Sequence, residues 1–204
     1  ARYREERENL AEDTAGIQRL CALLRAGGIM ETDTASARVL KALSDSGIFI
    51  LGGVLVGTHA FALTGNLLGV RWKGSSLRTQ DIDIAAEAKV SITLPAAKGG
   101  IPKVLAGLEM GFLPVPQLDP HSPSTSFKVR GKKVRVEPLT PQQLPFLDFL
   151  IENPVRGAVF NGGGVLVSVP TPARFAFHKL ILAGGRDASP HGKREKDLRR
   201  AAQA

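Results

Sequence analysis

The chain has 204 residues, 43% of them apolar and 23% charged, enough for one domain with a substantial core, and no apolar run approaches the ~18 residues of a membrane helix. Its single cysteine, Cys21, excludes an intrachain disulfide and a thiolate metal cluster and points to a reducing, cytoplasmic setting. The net charge is +8, and its excess lies in two stretches, "FKVRGKKVR" and Arg174 to Ala204, a distribution that attracts RNA or another polyanion.

Residues 1–46 read as an N-terminal helical segment of structural role. Leu10, Ile17, Leu20, Leu23 and Leu24 recur at helical spacing up to the stop signal Gly27-Gly28, and "TASARVLKALSDSG" predicts a shorter helix capped by Thr34 and ended by Gly47. From Ile48 the pattern changes. "IFILGGVLV" is a continuous apolar, β-branched run that predicts a strand buried on both faces, Ile48 to Val56. A helix follows over "GTHAFALTGNLLG", entered through Gly57 and Thr58, then a polar loop, "RWKGSSLRTQ", and a short strand, "DIDIAA".

Downstream, "IPKVLAGLEMGF" and "PQQLPFLDFLIEN" read as helices. "TSFKVRGKKVRVEPLT" and "RGAVFNGGGVLVSVP" read as hairpins turning at Gly131-Lys132 and Asn161-Gly162-Gly163. Residues 171–204 form a C-terminal helical segment. Pro172 sits in the first turn of "TPARFAFHKLILAGG", whose core face is assigned to Phe175, Leu180 and Leu182, and a basic helix follows "RDASPHG". Because no Met opens the chain and "DLRRAAQA" stops inside a helical pattern, the chain reads as a piece of a longer one, truncated in this segment.

The chemistry lies in "RTQDIDIA". Residues i and i+2 of a strand share a face, so Asp81 and Asp83 project together. Two adjacent carboxylates are unfavourable to desolvate unless a cation lies between them, and Mg²⁺ commonly takes one or two carboxylates plus substrate phosphates. D-x-D also occurs in turns and exposed strands. What sharpens it is the strand, Gly57-Thr58 turn and helix ahead of it, which present backbone N–H groups and a hydroxyl where a phosphate can be seated; a capped helix with a turn glycine explains Gly57 and Thr58 equally well, but not the acids. The glycines of "LGGVLVGTHA" do not fall in G-x-G-x-x-G order and a D-x-D replaces the acid expected on the second strand tip, which argues against a dinucleotide-binding Rossmann site.

"GGVLVGTHAFALTGNLLGVRW" followed by "RTQDIDIA" resembles the nucleotidyltransferases of the DNA polymerase β superfamily. Arg78-Thr79 ahead of the acids, and Lys179 followed by "KDL", resemble its minimal, toxin-type branch, including AbiEii-like proteins. The likeness spans about Ile48 to Ala204. It implies an α/β (α+β) fold with a mixed sheet flanked by helices, residues 47–170 being the catalytic core. It also implies transfer of a nucleoside monophosphate from a nucleoside triphosphate to an acceptor hydroxyl with Mg²⁺ or Mn²⁺.

By the same resemblance, Gly57, Thr58, Arg78 and Lys179 bind the triphosphate, and Asp81 and Asp83 bind the metal. Glu137 takes the catalytic and metal-binding position usually held by Asp, with pairing to Arg135 or Lys133 as its other possible role. Other readings of the chain are a binding module without turnover and a toxin working with an antitoxin partner. His178 reads as a surface or packing residue rather than a base, and His59, nearer the proposed phosphates, is given no catalytic role without geometry.

Overall fold

In this computed structural model the described residues are 2–72, 80–86, 100–116, 126–139, 144–185 and 191–204. The first helix, α1 (Arg2–Ala26), forms as its periodicity predicts, but Ile17, Leu20, Leu23 and Leu24 remain exposed while Cys21 is buried. Helix α2 (Thr34–Asp45) begins one residue earlier than expected, at the residue read as its cap. Asp33 is the N-cap, its Oδ1 accepting from Ala35 N at 3.1 Å and Ser36 N at 3.0 Å, and Thr34 is already helical.

The long strand expected over Ile48–Val56 is reduced to β1 (Val54–Val56). Residues 47–52 turn instead, with Leu51 N bonded to Gly47 O at 3.0 Å and Gly53 N to Ile48 O at 2.8 Å. Gly47 and Gly52 take the left-handed conformation at φ 83° and 99° that lets so apolar a stretch fold back. The turn still buries Ile48 and Phe49 while leaving Ile50 exposed.

After β1 come α3 (Gly57–Leu68), β2 (Asp81–Ala85), α4 (Gly100–Ala106), β3 (Phe112–Pro114), β4 (Phe127–Val129), β5 (Arg135–Leu139) and α5 (Leu147–Ile151). The hairpin β6 (Val155–Phe160) and β7 (Gly164–Val169) leads to α6 (Pro172–Gly184) and α7 (His191–Gln203). Strands β1 to β5 form one mixed sheet in the order β1-β2-β5-β4-β3, and β6 and β7 a second, two-stranded one. This is the α/β architecture expected; β3 has no counterpart in the sequence reading. Both hairpins turn where their glycines predict, β4 with β5 and β6 with β7.

The sheet's inner face carries Leu55, Ile82, Ile84 and Val136, all buried against α2, α3 and the β6–β7 hairpin with Val39, Leu40, Leu43, Phe61 and Val167. On α6 the buried face runs through Phe175, His178 and Ala183; Leu180, assigned to that face from the sequence, is 46% exposed. Thr171 caps this helix through Arg174 N at 3.4 Å, with Pro172 in its first turn. Among the described residues no helix is long and apolar enough to cross a membrane.

Candidate active site

Strand alternation decides which face the acids take. Ile82 and Ile84 point into the core, at 0% and 2% exposure, so Asp81 and Asp83 stand on the opposite face. Register then supplies their neighbours. Antiparallel pairing places Val56, the last residue of β1, opposite Asp83, and parallel pairing places Arg135 opposite Asp81 and Glu137 opposite Asp83. Two central strands thus bring Asp81, Asp83 and Glu137 together, as the sequence reading expects.

Gly57 follows Val56 at φ 69°. A Cβ there would fall on Asp83 Oδ2 and 2.9 Å from its Cγ, so glycine is required both by backbone conformation and by the carboxylate lying over the head of α3. The N-cap of that helix is Val56, whose side chain has no atom able to accept a hydrogen bond. The first N–H groups of α3 therefore have no side-chain cap, beside the acids.

The carboxylates are crowded. Burial, then the charges of Glu137 and Asp81, push the Asp83 carboxyl from 3.8 up to about 6, against the opposing pull of Lys179 and Arg135. Glu137 has Arg135 Nη2 at 3.4 Å from its Oε1, in a pair whose Arg and Glu side chains are 38% and 30% exposed. Among the described residues, no three His, Cys, Asp or Glu side chains converge as a ready metal cluster. The donor set nevertheless suits a hard cation bound by two carboxylates, Asp81 and Asp83, with further positions left to substrate phosphate.

Helices α6 and α7 bring positive charge to the same place. Lys179 Nζ lies 3.4 Å from Asp197 Oδ1, in a pair whose side chains are 13% and 7% exposed, and 5.5 Å from the centre of the Phe175 ring. Burial lowers the Lys179 pKa more than Asp197 raises it. Arg200, invisible as a site residue in the sequence reading, donates from Nη2 to Thr58 Oγ1 at 2.9 Å and stands 5.2 Å over the Phe61 ring. Phe61 stacks with Trp72, at 4.9 Å, and with Phe175, at 5.7 Å. Trp72 is itself held by Nε1 donating to Phe61 O at 2.7 Å. This aromatic floor under two cations joins α3, α6 and α7, and the sequence signal for it was only scattered aromatic residues.

His178 is buried, with Nε2 3.0 Å from Pro145 O, the packing role expected of it. His59 is also buried. Its pKa is lowered by burial, against the pull of Asp33 and Asp81. Arg78, the remaining expected phosphate ligand, lies outside the described residues. A cavity of about 230 Å³ lined by Leu23, Leu24, Ile29, Asn66 and Val70 lies at the far, C-terminal end of α3, away from the acids.

Residues 34–144 and 138–204 match the model of a protein family described as Nucleotidyltransferase. Among solved structures, the chain is similar to an antigenic nucleotidyltransferase-like protein from Paracoccidioides brasiliensis, with 18% identity, 85% of this chain and 78% of that chain covered, and a TM-score of 0.49. No curated protein matches it.

Proposed function

Since the chain belongs to the nucleotidyltransferase family, which it matches from residue 34 to its last residue, we propose that it moves a nucleoside monophosphate from a nucleoside triphosphate to an acceptor hydroxyl at the Asp81–Asp83 site. The observation that carries this is the juxtaposition of Asp83 with Gly57 at the uncapped head of α3. Metal-binding carboxylates and a phosphate seat then share one end of one helix. Arg78-Thr79 ahead of the acids and Lys179 followed by "KDL" favour the toxin-type branch.

Asp81 and Asp83 would hold Mg²⁺ or Mn²⁺, which would lower the pKa of the attacking hydroxyl and neutralise phosphate oxygens, those of the departing pyrophosphate included. The α3 N–H groups and the Thr58 hydroxyl orient the triphosphate. Lys179 offsets its charge, joined by Arg78 from the segment ahead of β2. Glu137 stands beside Asp83 as the third acid. Its partly exposed pair with Arg135 is worth less than ~1 kcal/mol and does not hold it out of the site. The exposed basic turn at Lys128, Arg130, Lys132 and Lys133 favours RNA as the acceptor.

Incubation of the protein with the four labelled nucleoside triphosphates, Mg²⁺ or Mn²⁺ and total RNA tests this. Label is expected in RNA, or in protein if the acceptor is a side-chain hydroxyl, and it is lost in Asp81→Asn and Asp83→Asn. A second reading, a nucleotide-binding module without turnover, is favoured by Glu137 standing where the resemblance puts Asp. Its signature is retained nucleotide binding with no label transferred.

A further inference from the structure

Arg200 is 142 positions from Thr58 in the chain. Its guanidinium belongs to a residue only 4% exposed, and such a charge is unfavourable to bury without partners. It faces the Phe61 ring, is attracted by Asp197 and Asp83, and donates to Thr58 Oγ1. A guanidinium has donors only, so in this hydrogen bond the Thr58 oxygen accepts and its own proton is left for another acceptor.

Thr64, further along the helix, uses its proton on Ala60 O at 3.0 Å. Thr58, in the first turn, has no helical carbonyl four residues behind it, and no acceptor among the described residues takes its proton. The next residue, His59, is 6% exposed, and its Nε2 has no hydrogen-bond partner among the described residues. Two side chains of one helical turn, each more than nine-tenths buried, thus hold hydrogen-bonding capacity that no described protein atom uses, beside the uncapped N–H groups of a 12-residue helix. Lys179 and Lys196 both stand close enough to Arg200 to feel its charge, a repulsion that an anion among them relieves.

We propose that Arg200 is a positioning residue of the phosphate subsite: braced on Phe61, it fixes the Thr58 hydroxyl as a donor aimed at a terminal phosphate oxygen of the nucleotide. The inference rests on the nucleotidyl-transfer reading and adds to it a residue from the last helix, so that α7 sets the geometry of a turn built by α3.

A double-mutant cycle on the full chain tests it, with Kd for ATP, GTP, CTP and UTP, each with Mg²⁺, read by calorimetric titration. Thr58→Val and Arg200→Gln are each expected to weaken the tightest nucleotide about tenfold, the worth of one charge-assisted hydrogen bond. In the Thr58→Val background, Arg200→Gln is expected to change Kd by less than about twofold, because both act through one contact. If circular dichroism shows Arg200→Gln unfolded, the cycle is run with Arg200→Lys, which keeps the charge and loses the planar fork; a smaller loss with the same dependence on Thr58 is expected. Equal losses with and without the Thr58 hydroxyl, no loss, or tighter binding overturn the inference while leaving the nucleotidyl-transfer reading intact. A wild-type chain that binds none of the four nucleotides overturns both.

Discussion

Asp83→Asn removes a charge that the metal-free fold holds at a disadvantage. The native carboxyl titrates at about 6 rather than 3.8, a difference that corresponds to roughly 3 kcal/mol at about 1.4 kcal/mol per pH unit. Between those two values the native chain keeps a proton that the unfolded chain has released. Stability from this group therefore falls as pH rises through that window and stays low above it.

The amide at position 83 should accordingly stabilise the metal-free protein at pH 8 by up to ~3 kcal/mol, or ~6–12 °C in Tm for a domain of this size. The gain should shrink steadily toward pH 4. Thermal and urea unfolding in the presence of a chelator, at pH 8, 6 and 4.5, measures it, and added Mg²⁺ should raise the wild-type Tm but not the variant's. A variant no more stable than wild type at pH 8, or a gain independent of pH, would show that the Asp83 carboxylate is satisfied by the protein alone and would refute the argument from crowded charge.

Gly57→Ala should destabilise the fold by ~1–3 kcal/mol and abolish label transfer, because its Cβ collides with Asp83; unfolding curves and the transfer assay that match wild type count against the close approach. Asp197→Asn leaves Lys179, 13% exposed at its side chain, without its carboxylate, and a loss of ~3–5 kcal/mol is expected in urea unfolding; a loss below ~1 kcal/mol would place the pair in solvent. Trp72→Phe keeps the stack on Phe61 but deletes the 2.7 Å hydrogen bond to its carbonyl, and should lower stability by ~1 kcal/mol, read by the midpoint of chemical denaturation.

Local periodicity was enough to place Asp81 and Asp83 on one face, to turn two hairpins at their glycines, and to set Gly57 and Thr58 at the head of a helix, because each depends on the nearest few residues. It misplaced the cap of α2, where Thr34 and Asp33 are both able caps and only Asp33 reaches Ala35 N and Ser36 N. It also overran β1, since an apolar run carries no mark of the left-handed glycines that fold residues 47–52 back on themselves.

What composition and spacing determined by themselves was that Asp81 and Asp83 share one face of a short strand and that Gly57-Thr58 opens the preceding helix, along with the basic character of the C-terminal segment. Which basic residues turn inward was decided by packing: Arg200 of α7 and Lys179 of α6 lie against aromatic rings while Arg194 and Arg199 face solvent. The meeting of Arg200 with Thr58, of Glu137 with Asp83, and of Lys179 with Asp197 is set by strand register and helix docking. Those are sums of many weak contacts between distant segments, and no short stretch of the chain encodes them.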